Sequence, residues 1–220
     1  SRNPLGEEGV LAIAYALETN PHLRTLMLHY VNFDPNLDPA DTATRIEPFP
    51  LTPLFRARGL ERLELRLNYI GQCGYTLDQL REALAGSSRL RTLDLTRCCI
   101  GGWRRARTII RGIAANATLT EVDLGYNGLG AACQTPTHPD GSANGTGSRG
   151  TPSLAVNTLC EALRENTRLR RVGLAHNVLG DVGATAIVGA ALSRCSRPHA
   201  LDLDMRSNGI SVGSLRTLCA

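Results

Sequence analysis

The sequence predicts an α/β fold, a right-handed α/β solenoid in a horseshoe arc with a concave parallel sheet and convex helices, made of about six repeats of roughly 30 residues. Three observations predict it. The stretch LTEVDLGYNGLG, Leu119 to Gly130, returns nearly unchanged as LRRVGLAHNVLG, Leu169 to Gly180. Aligned on these, the pattern L-x-x-L-x-L-x-x-N-x-L/I begins at Leu23, Leu60, Leu90, Leu119, Leu169 and Ala200. Between copies, the apolar spacing changes from period 2 to the period of a helix.

The strands come first in each unit. Their apolar positions are Leu23, Leu26, Leu28; Leu60, Leu63, Leu65; Leu90, Leu93, Leu95; Leu119, Val122, Leu124; Leu169, Val172, Leu174; and Ala200, Leu203, Met205. Alternation sends Leu63 and Leu65 to one face and Glu64 and Arg66 to the other. Helical spacing follows at Leu77, Leu80, Leu84; Ile109, Ile110, Ile113; Leu159, Ala162, Leu163; and Ala184, Ile187, Ala191, Leu192. One strand and one helix cannot bury their apolar faces alone, so units stack, the strands forming one sheet and the helices lining its back. A helix is wider than the ~4.8 Å strand spacing, which bends the stack with the sheet inside.

The turn leaving each strand carries Val31, Asn68, Cys98, Asn127, Asn177 or Asn208. An Asn amide offers a donor and an acceptor to backbone groups that would otherwise be buried unpaired, so this column is structural. Cys is a known substitute. Val31 makes no such bonds, and the first repeat is expected to leave the sheet differently. The pattern, its long unit and the continuation Asn-x-Ile/Leu-Gly-x-x-Gly (Gly71 and Gly74, Gly180 and Gly183) resemble leucine-rich repeats of the ribonuclease-inhibitor type. The resemblance covers nearly the whole chain and implies a fold much more than a function.

Residues 1–220 are expected to form a single array, part of a longer one, with two insertions. Asp34 to Pro53 is proline-rich and not one regular element, while Gln134 to Ser153 is rich in Gly, Ser, Thr and Pro and reads as flexible. Both enter after the Asn turn and before the helix, on one edge of the array. GTGSRG, Gly145 to Gly150, has dinucleotide-loop spacing without the strand and helix that would make it one.

Composition excludes several functions. The 24 basic residues are all Arg, so chemistry that needs a lysine is absent, from a Walker A loop to a Schiff base. The net charge of +4, with acids interspersed, does not make a nucleic-acid footprint. The seven cysteines form no C-x-x-C pair, which points to reduced thiols and a cytoplasmic setting. Sequons at Asn116 and Asn144 are read as chance, Asn116 because it sits at a helix end before a strand. The histidines show no metal-ligand spacing.

Function is sought on the concave face. One column across the strands is Met27, Glu64, Asp94, Asp123, Gly173, Asp204; the next is His29, Arg66, Thr96, Gly125, Ala175, Arg206; beyond it come Tyr30, Leu67, Arg97, Tyr126, His176, Ser207. The carboxylates stand close enough to couple, but Arg66, Arg97 and Arg206 neutralise them and no nucleophile or base converges there. A recognition face is expected, not a catalytic one. The expected contact set is His29, Tyr30, Glu64, Arg66, Asp94, Arg97, Asp123, Tyr126, His176 and Arg206, with a second contact at Trp103, Arg104 and Arg107 on the basic helix WRRARTIIR.

The expected function is a non-enzymatic protein–protein interaction module or scaffold. Its partner is another protein, with no nucleic acid, membrane, small-molecule substrate, cofactor or metal. The resemblance leaves two other readings. One is a regulator of a small GTPase, of the activating type, because the activating protein for Ran looks like this repeat type; the acidic tail of that family is missing here. The other is a component of a cytoskeletal or flagellar assembly.

Overall fold

The structure, a computed structural model, describes residues 5–31, 51–86, 89–130, 151–193 and 200–219. Six strands form one parallel sheet in chain order: β1 Thr25–Met27, β2 Arg62–Glu64, β3 Thr92–Asp94, β4 Glu121–Asp123, β5 Arg171–Gly173 and β6 Asp202–Asp204. Helices alternate with them: α1 Gly6–Thr19, α2 Leu51–Phe55, α3 Gly74–Ala85, α4 Trp103–Ala115, α5 Leu154–Glu165, α6 Gly180–Leu192 and α7 Val212–Cys219. A 3-10 turn, Ile70–Gln72, precedes α3, and each helix packs on the next in the series. This is the expected α/β solenoid. Helix α2 begins at Leu51, inside the stretch read as the proline-rich insertion; the rest of that stretch and residues 134–150 of the second insertion lie outside the described residues.

The core lies between sheet and helices. Leu63, Leu65, Leu93, Leu95, Leu124 and Leu174 are buried against Leu80, Leu84, Ile109, Ile113, Leu159 and Leu163. The end strands bury less, because each has a neighbour on one side only: Leu23 is exposed, and Leu203 and Met205 are half-buried. In α6 the buried stripe is Gly183, Ala184, Ile187 and Ala190. Leu192 is exposed, since the last helical residue has turned out of the stripe.

Three residues past the end of each strand the chain enters the left-handed region: Tyr30 (φ 54), Leu67 (60), Arg97 (56), Tyr126 (58), His176 (57) and Ser207 (56). The following asparagines form a ladder. Asn127 Oδ1 accepts from the N–H of Cys98 (3.0 Å) and Ile100 (3.1 Å), and its Nδ2 donates to Leu95 O (2.9 Å) and Leu124 O (3.0 Å). Asn177 repeats this on Asn127 and Leu129, and Asn208 on Asn177 and Leu179. Val31 does not make the first turn different: Tyr30 takes the same conformation, and Asn68 of the next repeat accepts from Val31 N–H and donates to Leu28 O. The ladder works through the neighbouring repeat's amide, so one missing Asn is covered from the side. Cys98 imitates the column, its thiol donating to Leu65 O at 3.0 Å; burial pushes that thiol far above its ordinary range and keeps it a donor.

A second ladder runs along the opposite end of the strands. Asn116 Oδ1 accepts from Thr118 and Leu119 N–H while Nδ2 donates to Leu84 O; Asn166 does the same with Arg168, Leu169 and Ile113 O. Asn20 makes the equivalent turn with His22 and Leu23. The sequon at Asn116 is therefore inaccessible in the folded chain: its amide is buried and its Nδ2 donates to Leu84 O. The one at Asn144 lies outside the described residues.

The residue after the ladder position is also left-handed in four repeats: Cys99, Gly128, Val178 and Gly209. Val178 is β-branched at φ 58 and 65% exposed, so it is strained without packing to offset it. Val178→Gly is expected to stabilise the chain by roughly 0.5–1 kcal/mol, the relief of strain exceeding the added freedom of the unfolded chain. A lower urea midpoint for the variant would show that the valine side chain contributes packing instead.

Candidate partner-binding face

Strand register places the columns as the sequence arranges them. Met27, Glu64, Asp94, Asp123, Gly173 and Asp204 pair in succession across the sheet. A further concave column, Thr25, Arg62, Thr92, Glu121, Arg171 and Asp202, runs beside it, two residues earlier on each strand. Sequence reasoning passed over it, although the same alternation implies it.

The face divides into an engaged part and an open part. On β2 and β3 the acids are buried and tied down. Glu64 accepts from Arg62 Nε at 2.7 Å, with His29 Nε2 2.9 Å away, and Asp94 Oδ2 accepts from Arg66 Nε and Nη2, both at 2.6 Å. At the far end Arg206 grips Asp204 with Nε (2.8 Å) and Nη2 (2.6 Å). Thus His29, Glu64, Arg66 and Asp94 of the expected contact set form one internal network, and Arg206 is held by its own pair.

The open part centres on β4. Asp123 Oδ1 accepts from Gly125 N–H at 2.8 Å, and among the described residues neither Asp123 nor Glu121 makes an ion pair. Gly173 makes room for the acid: a Cβ there would stand 2.6 Å from Asp123 Cγ. Gly125 and Ala175 keep the floor low. Along the rim, the Arg97 guanidinium lies 4.2 Å from the Tyr126 ring centroid, and the His176 ring stacks on the other side at 4.0 Å, 13° from parallel. All three are exposed, yet their backbone is fixed, since Arg97, Tyr126 and His176 each donate an N–H to the next strand, to Gly125, Ala175 and Arg206 O. Tyr30 is half-buried, four strands from His176. Trp103, Arg104 and Arg107 lie on α4, away from the sheet.

The engaged acids give a pH signature. Burial alone would raise Glu64, but hydrogen bonds from Arg62 and His29 and the charges of Arg62 and Arg66 outweigh it and hold the carboxyl below its ordinary 4.5. The hydrogen bond from Arg206 lowers Asp204 in the same sense. A carboxylate held low in the folded state contributes stability that is complete above its ordinary value and is lost as pH falls through the folded value. Stability is therefore expected to decline below about pH 4.5, and Glu64→Gln to show a shallower decline with lower stability near neutrality. A wild-type and Glu64→Gln difference that stays constant down to acid pH would remove Glu64 from this role.

Comparison with known proteins agrees with the architecture. The family described as Leucine Rich repeat matches residues 87–102, 115–132 and 165–188, which contain β3, β4 and β5. A ribonuclease inhibitor from Sus scrofa is 28% identical over 263 residues, an alignment that takes in 100% of this chain and 53% of the relative. The chain thus spans about half the length of the curated relative it matches. Among the described residues no helix is long and apolar enough to cross a membrane. Six strands in chain order and an asparagine ladder through successive turns make the chain an α/β repeat solenoid, and these two similarities liken it to leucine-rich repeat proteins of the ribonuclease-inhibitor type.

Proposed function

We propose that this chain is a non-enzymatic module that holds a partner protein on its concave sheet. The observation that carries the proposal is the Arg97–Tyr126–His176 stack, exposed on three adjacent repeats beside the open β4 acids. Tyr and Arg are the side chains that most often anchor interfaces, and a rim fixed by backbone hydrogen bonds loses little entropy on binding. Glu64 and Asp94 are already neutralised by arginine, which supports recognition over acid–base chemistry. Free thiols at Cys73, Cys98, Cys99 and Cys160 and the buried sequon at Asn116 support a reducing, cytoplasmic compartment.

The relative is named a ribonuclease inhibitor, so a ribonuclease is the first partner to test. Immobilised wild type and a Tyr126→Ala/Arg97→Ala variant, both verified by circular dichroism, are compared for binding a ribonuclease and then the proteins of a cell extract. The variant is expected to lose about 2 kcal/mol or more of affinity for the partner. A partner retained equally by both would move the binding surface off the rim.

A further inference from the structure

We propose that helix α4 carries a second docking surface, for an acidic, carboxylate-rich segment of a partner protein lying along the helix axis. Arg104, Arg107 and Arg111 recur at i, i+3 and i+7, which sets them on one stripe roughly 10 Å long. All three are exposed, as is Arg105 beside them. The opposite face, Ala106, Ile109, Ile110 and Ile113, is fixed in the core, so the stripe cannot turn away from solvent.

These arginines are uncompensated. Among the described residues none of the four makes an ion pair. The first turn of α4 has no acidic residue and the helix has no side-chain cap, so its positive end is crowded with cations. Arg104 with Arg107, and Arg107 with Arg111, are like-charge neighbours, the arrangement that destabilises an isolated helix. Half-buried Trp103 closes the N-terminal end of the stripe, with the Arg104 guanidinium 5.4 Å from its ring centroid.

The flanks decide which anion fits. Helix α4 packs between α3 and α5, and those helices carry exposed carboxylates, Asp78 and Glu82 on one side and Glu161 and Glu165 on the other. On α3 those acids lie 4.0 and 3.7 Å from Arg81, and α5 carries Arg164 beside its own, so the flanking helices mix both signs of charge while the face of α4 carries arginine only. A plane of lipid phosphates or a nucleic-acid duplex would meet those carboxylates as well as the arginines. A single acidic segment laid along α4 meets a helix whose charged residues are all arginine, in the forked geometry that guanidinium offers a carboxylate.

Trp103 is the chain's one tryptophan, so its emission reports on the stripe directly. The probe is a 12-residue peptide alternating Glu and Gly, titrated into the 220-residue chain at two salt concentrations. The expected result is a saturable change in Trp103 emission, with a midpoint that weakens at higher salt. The triple variant Arg104→Gln, Arg107→Gln, Arg111→Gln is expected to weaken it about tenfold or more. A control of equal charge loss, Arg56→Gln, Arg58→Gln, Arg216→Gln, is expected to change it by less than about twofold. Equal weakening by both triples, or no saturable response, overturns the proposal. So does tighter binding of phosphatidylserine vesicles through the same arginines, which would assign the stripe to lipid. Circular dichroism checks that each triple is folded, and Arg104→Lys, Arg107→Lys, Arg111→Lys is expected to recover only part of the binding, because lysine keeps the charge without the fork. The Tyr126→Ala/Arg97→Ala variant should bind the peptide as wild type does, so this surface and the concave face fail or stand separately.

Discussion

Asn127→Ala is expected to lower stability by about 4 kcal/mol, among the largest effects of any exchange outside the apolar core. The amide serves two repeats at once. Its Oδ1 accepts from Cys98 and Ile100 N–H, and its Nδ2 donates to Leu95 O and Leu124 O. Leu124 O keeps the donor of Asn177, so the variant strands two N–H groups and the carbonyl of Leu95. Each buried backbone group left unpaired costs about 1–3 kcal/mol, and water entering the turn recovers part of the sum. Asn127→Asp should be as damaging, because its second oxygen would face Leu95 O and Leu124 O in a buried site. Cys98→Ala gives the comparison: its single thiol proton is directed at Leu65 O at 3.0 Å, with Thr96 O farther off at 3.7 Å, and about 1–2 kcal/mol is expected. Urea unfolding followed by circular dichroism measures all three. If Asn127→Ala costs no more than Cys98→Ala, the ladder does not hold the repeats together in the way its geometry implies.

Gly71→Ala is expected to cost more than about 3 kcal/mol, whereas Gly74→Ala, three residues along in the same motif, should be neutral or slightly stabilising. A Cβ at Gly71 would stand 2.0 Å from Cys99 O, 2.4 Å from Cys99 C and 2.8 Å from Ile100 N. All three atoms are backbone of the next repeat, which cannot rotate aside as a side chain can. The contact recurs: a Cβ at Gly101 would meet Asn127 O at 2.4 Å, and one at Gly130 would meet Val178 O at 2.3 Å. Here the chain leaving one strand lies directly on the chain leaving the next, and Gly71 N–H donates to Cys98 O at 2.8 Å in the same contact. A methyl group must therefore push two repeats apart. At Gly74, the first residue of α3, nothing stands within 4 Å of the added atom. Similar midpoints for the two variants would show that the repeat interface yields more easily than its backbone contacts suggest.

The sequence by itself determined the repeat, and with it most of the fold. Leucine at a fixed phase in every strand means that in-phase stacking alone buries Leu63, Leu93, Val122 and Val172 together, so the column from Met27 to Asp204 could be written down before any register was known. The same covalent period named the asparagines of the exit turns. It did not distinguish Glu64 and Asp94, which are buried under arginine, from Asp123, which is open, because the difference lies in the neighbours each meets across the sheet. Nor did it show that Asn68 makes up for Val31, that Asn116 and Asn166 tie helix ends to the preceding repeat, or that Leu192 turns away from the core. The first two depend on where another repeat puts one particular atom, and the last on where α6 ends. A periodic sequence fixes the average unit; the departures from it, where recognition occurs, are settled by contacts between residues about one repeat or more apart in the chain, which only the assembled solenoid brings together.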